Sequence, residues 1–278
     1  MSNQIYPCLW FDGQAKAAAN FYCSIFSNSS ILQESPIVTH FEIEGKKIMA
    51  LDGGPMFKIN PSISLFVTCT SEAEIEDIWY KLIVGGSAMM PLDKYPWSEK
   101  YGWLVDQFGM TWQLILDELP AGRQKIVPLL LFVGKQFGHA QQAIKDYSAI
   151  FQNSQILHLE LYPEENPFKG NLMFGRFSLN NTQIAAMDGP GEHHFEFNEG
   201  ISLVVECESQ EEIDHYWDSL TKEGSESQCG WLRDKYGVSW QIIPGMLGEL
   251  MSEPHKGERV MNALLKMKKL DIAALQGA

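Results

Sequence analysis

A segment of this chain occurs twice, and this internal repeat constrains the fold more than any other feature of the sequence. The sequence GWLVDQFGMTWQLI at residues 102–115 recurs as GWLRDKYGVSWQII at 230–243, with 8 of 14 positions identical. Two further matches follow in the same order: 62–82 with 200–220, and 22–32 with 147–157. Repeats of this length indicate duplicated structural units. The 278-residue chain is therefore predicted to contain two copies of one domain, at residues 1–120 and 121–250.

The spacing between matching segments changes along the chain, so insertions lie at definable places. The second half has extra residues around 162–171, and the first half has an extra stretch at 90–100. Insertions are tolerated where they do not interrupt the hydrogen bonding of the backbone. Both insertions are therefore expected to be loops or hairpin tips.

Within each half, the periodicity predicts a strand, a helix and three further strands, and then the same series again. PCLWF is typical of a strand, and QAKAAANFYCSIF carries apolar residues at helical spacing. Ser71 with Glu74 forms a capping box that starts a second amphipathic helix, and YGWLVD with MTWQLI forms a hairpin. The fold class is therefore α+β, with two βαβββ units in each half curling into a half-barrel cavity.

Composition excludes several classes of partner. The 21 Lys and Arg against 35 Asp and Glu give a formal charge of −14, which repels phosphate backbones, so no nucleic acid is expected. No apolar run is long enough to span a membrane, and the N-terminus does not resemble a signal peptide. The five cysteines are scattered and odd in number, which favours a reducing, cytoplasmic location.

Three segments resemble one protein family: PCLWFDGQAKAAANFYCSIF, ALDGGPMFKINPSISLFV and CGWLRDKYGVSWQIIP. Paired βαβββ units resemble the vicinal oxygen chelate superfamily, which includes glyoxalase I and the bleomycin resistance proteins. The motifs are similar to its PhnB-like branch, which is also labelled 3-demethylubiquinone-9 3-methyltransferase. The resemblance covers nearly the whole chain in two copies and implies tandem glyoxalase-like domains. It implies less about activity, because one fold hosts many chemistries.

The superfamily resemblance implies three metal-ligand positions in each half. In the first half they fall at Pro7, Ser64 and Gln113. In the second half they fall near Leu131 and at Ser202 and Gln241. Proline and leucine offer no ligand atom, and serine and glutamine are weak ligands at neutral pH. Neither half therefore has a complete set of metal ligands, and Cys8 is the one nearby residue that could bind a metal. No metal or other cofactor is expected.

The residues left at those positions predict a ligand site instead. Their polar side chains, with one tryptophan on the preceding strand of each half, are expected to bind a small apolar or aromatic molecule. The predicted ligand-binding residues are Ser64, Trp103, Gln113, Ser202, Trp231 and Gln241. The alternative is that each glutamine only satisfies buried backbone groups and that the tryptophans belong to the core. Strand parity places Trp112 opposite Gln113, beneath a helix.

The methyltransferase label finds little support in the residues. A common S-adenosylmethionine site needs a glycine-rich turn between a strand and a helix, and no such turn follows any predicted strand here. We therefore interpret the chain as a metal-independent small-molecule-binding protein. The alternative is an enzyme of the same superfamily: the labelled methyltransferase, or a lyase, isomerase or dioxygenase.

The C-terminal segment 251–278 differs from the rest in charge. From residue 254 onward, five basic and two acidic residues give +3 against −17 for the body, and apolar residues follow a helical stripe. An amphipathic helix is predicted that docks on the acidic body or on a second subunit, with no membrane association. A homodimer formed by domain pairing or through this helix is an open alternative.

Overall fold

The computed structural model describes residues 4–253 and 255–278. Four βαβββ units follow one another along the chain, two in each repeat. Unit one contains β1 (Ile5–Phe11), α1 (Ala15–Ile25), β2 (Ser29–Glu34), β3 (Val38–Ile43) and β4 (Lys46–Asp52). Unit two contains β5 (Ile63–Cys69), α2 (Glu72–Leu82), β6 (Ser87–Tyr95), β7 (Ser98–Val105) and β8 (Thr111–Leu116).

The second repeat has the same element order. Unit three contains β9 (Ile126–Phe132), α3 (Ala140–Ile150), β10 (Gln155–Leu161), β11 (Leu172–Leu179) and β12 (Thr182–Asp188). Unit four contains β13 (Ile201–Cys207), α4 (Gln210–Thr221), β14 (Ser225–Glu226), β15 (Trp231–Arg233) and β16 (Ser239–Pro244). The predicted α+β architecture of tandem βαβββ units is thus confirmed. Among the described residues, no helix is long and apolar enough to cross a bilayer.

Each sheet combines one unit from each half. The first sheet has the order β14-β15-β16-β13-β1-β4-β3-β2, and the second has the order β10-β11-β12-β9-β5-β8-β7-β6. The joins are the antiparallel pairs β1–β13 and β5–β9, whereas the pairs β1–β4, β5–β8, β12–β9 and β13–β16 are parallel. Units one and four therefore share the first sheet, and units two and three share the second.

Helices α1 and α3 connect the two sheets. Phe26, just after α1, stacks on Trp112 of the second sheet at a ring distance of 5.6 Å. In the other half, Phe151 stacks on Trp240 at 5.3 Å. Because Trp112 lies on the helix side of β8, its predicted position opposite Gln113 is confirmed. The helix-facing side chains of both sheets form one continuous apolar core, so the halves interlock.

A buried aspartate holds the turn within the repeated segment 230–243. One Asp234 oxygen accepts the backbone N–H groups of Tyr236 and Val238 at 2.9 and 3.1 Å. The other accepts the Tyr147 hydroxyl at 2.7 Å and the Trp240 indole N–H at 2.8 Å. Burial raises the pKa of Asp234, while these four donors favour its charged form. The carboxylate thus ties a β-turn to α3.

The C-terminal segment docks on the second repeat as three short helices instead of the single predicted one. These are α5 (Leu247–Ser252), α6 (Gly257–Leu264) and α7 (Ile272–Gln276), which bury a separate apolar cluster. The backbone N–H groups of Cys229 and Gly230 donate to the carbonyl oxygens of Met267 and Lys268, which lie between α6 and α7. Lys269 pairs with Asp214 and Asp218 on α4 at 3.0 and 3.1 Å. The predicted docking of a basic tail on an acidic body is confirmed within the chain.

Asp234→Ala is expected to lower the free energy of unfolding by about 3–5 kcal/mol, because four buried donors lose their acceptor. Urea denaturation followed by tryptophan fluorescence measures this loss. Asp12→Ala, at an exposed position, is the control and should stay within about 0.5 kcal/mol of the parent. Equal stability of the two variants would show that the carboxylate does not hold the turn.

Deletion of residues 254–278 is expected to lower the melting temperature by about 5 °C or more, because it exposes the apolar surface beneath the tail. Lys269→Ala is the matched control. It removes only partly exposed ion pairs and should cost less than about 1 kcal/mol. A deletion that leaves both the melting temperature and the size-exclusion volume unchanged contradicts the docking.

Candidate functional site

A cavity of about 600 Å³ lies on the face of the second sheet that is turned away from the helices. Its apolar wall comes from seven strands of that sheet, β5 to β9, β11 and β12, and from the loops at their ends. The aromatic lining residues are Phe66, Trp97, Tyr101, Trp103, Tyr162 and Phe174. Polar and charged side chains add Thr68, Gln113, Asp117, Glu118, Arg123, His158, Glu160, Arg176, Asp188 and His193.

Curvature of the second sheet encloses this space. β11 and β5 are three strand positions apart, which is roughly 14 Å in a flat sheet at 4.8 Å per strand. Nevertheless, the rings of Phe174 on β11 and Phe66 on β5 lie only 5.2 Å apart. These side chains converge because the sheet bends around the cavity, which makes its face concave.

Both sequence insertions border this cavity. The insertion at 90–100 forms the tip of the β6–β7 hairpin, where Trp97 stacks on Tyr95 at 5.1 Å and is 54% exposed. The insertion at 162–171 follows β10 and contributes Tyr162 to the lining. They come from different halves, yet they border the same cavity because units two and three share a sheet. The prediction that they are a hairpin tip and a loop is confirmed.

The predicted polar pairs are present in both sheets. Gln113 donates to the Ser64 hydroxyl at 2.9 Å, and Gln241 donates to Ser202 at the same distance. In the second sheet, the Gln113 carbonyl also accepts the Tyr101 hydroxyl at 2.8 Å. All four pair members are buried, and among them Gln113 lines the cavity of the second sheet together with its partner Tyr101. The pair members lie on neighbouring parallel strands, not on facing ones.

The predicted tryptophans have different surroundings in the two sheets. Trp103 lines the cavity, and its buried indole N–H has no hydrogen-bond partner among the described residues. Its counterpart Trp231 packs against Trp10 of β1 at a ring distance of 5.8 Å. Trp103 therefore faces open space, whereas Trp231 faces another aromatic ring.

In the first sheet, Trp10 occupies the space that corresponds to the cavity of the second sheet. Its indole N–H donates to the Gly54 carbonyl at 2.6 Å, and Phe57 packs against its ring at 5.0 Å. A Cβ on Gly53 would overlap the Trp10 ring, so glycine is needed there. At the matching position of β9 stands Leu131, which lies over Gly189 and lines the cavity.

The strand register corrects two of the predicted metal positions. The first-strand residue opposite Ser202 is Cys8, and the one opposite Ser64 is Leu129. Pro7 instead pairs with Leu203, and Leu131 lies two residues further along β9. Because the sheets are shared, each of these first-strand residues comes from the half that does not supply the serine and glutamine.

These residues do not fit a divalent metal ion. Around Ser64 the ligand set is a leucine side chain, a hydroxyl and a neutral amide whose polar atoms already bond to one another. In the first sheet, burial raises the pKa of the Cys8 thiol to about 12, so it carries no thiolate. Throughout residues 4–253 and 255–278, no three His, Cys, Asp or Glu side chains cluster as metal ligands, His193 and His194 included.

The sequence reasoning missed the charged lining of the cavity. Arg176 on β11 is 8% exposed, and Arg123 precedes β9. A comparison of the repeats would have identified Arg176, because β3 places His40 opposite Met49 and β11 places Arg176 opposite Ala185, the equivalent position. A difference between residues at matching positions on the concave faces of the two sheets is the signal that could have identified this arginine.

The fold is similar to that of glyoxalase I. Glyoxalase I from Zea mays superposes with a TM-score of 0.58 over 91% of this chain and 98% of that protein, at 12% identity. A family model described as 3-demethylubiquinone-9 3-methyltransferase matches residues 3–115 and again 124–243. The chain belongs to this PhnB-like family and carries it in two tandem copies.

Single-copy proteins match one half at a time. A "putative 3-demethylubiquinone-9 3-methyltransferase, PhnB protein" from Bacillus cereus is 37% identical over 40% of this chain and 98% of its own length, with a TM-score of 0.39. Protein PA1353 from Pseudomonas aeruginosa is 24% identical over 40% of this chain and 94% of its own, with a TM-score of 0.36. No curated protein matches the chain significantly.

Protein purified without chelator or affinity tag is expected to contain far less than one equivalent of divalent metal, because neither set of three positions offers an anionic or imidazole ligand. Elemental analysis by inductively coupled plasma mass spectrometry measures the content. A stoichiometric metal that survives dialysis, and that is lost in Cys8→Ser or Gln113→Leu, would contradict this reading of the site.

Proposed function

We propose that this chain binds a small apolar or aromatic molecule in the cavity of the second sheet, and that binding requires no metal. The observation that carries the proposal is the aromatic-lined space of about 600 Å³ with a few placed polar groups. Small-molecule sites of soluble proteins have this size and this mixture of apolar wall and sparse polar contacts.

The predicted site residues take unequal parts in this proposal. Trp103 and Gln113 contact the ligand directly, and Ser64 holds the Gln113 amide in place by the hydrogen bond between them. Ser202, Trp231 and Gln241 form the equivalent set in the first sheet, where Trp10 covers the tryptophan. We assign ligand binding to the second sheet and a packing role to its counterpart.

A methyltransferase activity is the second candidate, and the description of the matching family favours it. S-adenosylmethionine and its demethylated product differ only in the transferred methyl group and its charge. A thermal-shift panel with both compounds tests the candidate, since a cofactor that binds the folded state raises the melting temperature. Stabilisation by both compounds favours the enzyme, and stabilisation by neither favours a binding protein.

The location and assembly of the protein belong to the same proposal. The five cysteines are all unpaired, and Cys8, Cys69 and Cys207 are buried, which suits a reducing cytoplasm. A homodimer stays a prediction, and each sheet already contains two units from a single chain.

Leu131→Trp is expected to fill the cavity as Trp10 fills the first sheet, because Gly189 leaves room beside it as Gly53 does beside Trp10. Binding of the neutral fluorescent probe N-phenyl-1-naphthylamine should weaken at least tenfold. Fluorescence titration gives the dissociation constant, and circular dichroism confirms that the variant folds.

Tyr80→Trp is the matched control, since it adds a tryptophan at a position on α2 whose side chain is 65% exposed. It should bind the probe as the parent does. If the parent does not bind the probe saturably, or if Leu131→Trp binds it unchanged, the cavity is not a site for aromatic molecules.

A further inference from the structure

A buried arginine lines the cavity and forms no ion pair with any described residue. Arg176 is 8% exposed, and its guanidinium lies over the Phe66 ring at 5.9 Å. It donates to the Gln124 carbonyl at 3.3 Å and to the Thr68 hydroxyl at 3.4 Å, both long contacts. A guanidinium carries five N–H donors, so most of its capacity remains unused.

No ion pair involves Arg176 within the part of the chain that the structure describes. Burial and the neighbouring Arg123 lower the pKa of Arg176 to about 10, while Asp117 opposes this effect. Arg176 is thus still positively charged at neutral pH. An unpaired buried charge costs several kcal/mol of stability, so a site that retains one is built to receive an opposite charge.

In the first sheet the position equivalent to Arg176 holds His40, and the nearby cation is Lys47 of the neighbouring strand β4. There Lys47 donates to Glu206 at 2.8 Å, and the Tyr6 hydroxyl donates to the same carboxylate at 2.6 Å. The repeat places Thr68 where Glu206 stands, since both lie four residues after the buried serine of their strand. The second sheet therefore has the cation and lacks the carboxylate.

Two residues that line the same cavity each carry a buried donor atom without a partner. The Nη1 group of Arg123 and the indole N–H of Trp103 are buried and have no hydrogen-bond partner among the described residues. The carboxylates of the lining are Asp117, Glu118, Asp188 and Glu160. Asp188 already accepts three backbone N–H groups near α3, and the other three are exposed at the mouth. The interior is thus rich in donors and poor in acceptors.

We propose that the ligand of this cavity carries an oxyanion, such as a carboxylate, phosphate, phosphonate or sulfonate, on its apolar or aromatic frame. Arg176 binds the anionic group, and Arg123 contributes a second positive charge at the same end of the cavity. The aromatic wall, which includes Trp103, holds the frame. This inference rests on the proposed function and narrows its ligand to one chemical class.

Two fluorescent probes with a common frame test the charge separately from the cavity. 8-Anilinonaphthalene-1-sulfonate carries a sulfonate, and N-phenyl-1-naphthylamine is its neutral counterpart. The parent protein is expected to bind the sulfonate at least tenfold more tightly. Arg176→Gln should weaken sulfonate binding at least tenfold and leave binding of the neutral probe within twofold.

Three variants control this comparison. Arg233→Gln removes an arginine that is paired with Glu199 outside the cavity, so both probes should bind as in the parent. Arg176→Lys keeps the charge without the forked donors and should lie between the parent and Arg176→Gln. Leu131→Trp should weaken both probes, which shows that they occupy the cavity.

The outcomes separate this inference from the proposed function. If the neutral probe binds as well as the sulfonate and both are lost in Leu131→Trp, the cavity is a binding site without anion preference, and the inference is overturned. If sulfonate binding survives Arg176→Gln or Leu131→Trp unchanged, the anion binds elsewhere, and the inference is again overturned. If the parent binds neither probe, the proposed function fails together with it.

Discussion

Antiparallel pairing of β1 with β13 and of β5 with β9 is the constraint on which the rest of the structure depends. These joins put Cys8 opposite Ser202 and Leu129 opposite Ser64, so every concave face draws side chains from both repeats. Aromatic stacking of Phe26 on Trp112 and of Phe151 on Trp240 ties the two units of one half together across the helix layer. Strand pairing links different halves while helix packing links units of the same half, and neither half is complete alone.

One consequence is that a single substitution between the repeats decides whether a concave face is filled. Trp10 carries an indole ring where Leu131 carries a smaller isopropyl group, and they lie over the matching glycines Gly53 and Gly189. The larger side chain packs against Trp231, whereas Leu131 and Trp103 both line the cavity. The charged positions differ in the same sense, because the first sheet balances Lys47 with Glu206 and the second leaves Arg176 unbalanced.

The repeat and the hydrophobic periodicity were enough to predict the four βαβββ units, the α+β class and the position of Trp112. These features depend on local patterns, namely strand alternation, helical spacing and turn residues. The polar pairs Gln113–Ser64 and Gln241–Ser202 could also be predicted, because both members lie on parallel strands of one unit.

The joins between halves could not be predicted, because β1, β5, β9 and β13 are all short apolar runs that read alike. The partner of such a strand is decided by packing across the whole molecule, not by its own sequence. The first-strand register followed from that pairing, which is why Pro7 and Leu131 were assigned in place of Cys8 and Leu129. A cavity was expected within each half, but its lining by residues of both halves was not, since the two insertions that border it are about 70 residues apart in the chain.

The joining of both repeats in one polypeptide has a consequence for symmetry. Two identical chains related by a twofold axis would present the same residues in both sheets, so any change that opened one pocket would open the other. Here the segment between β8 and β9 links two copies that are free to diverge. Trp10 packs against Trp231 in one sheet, and the cavity of the other sheet can change without a matching change in its twin.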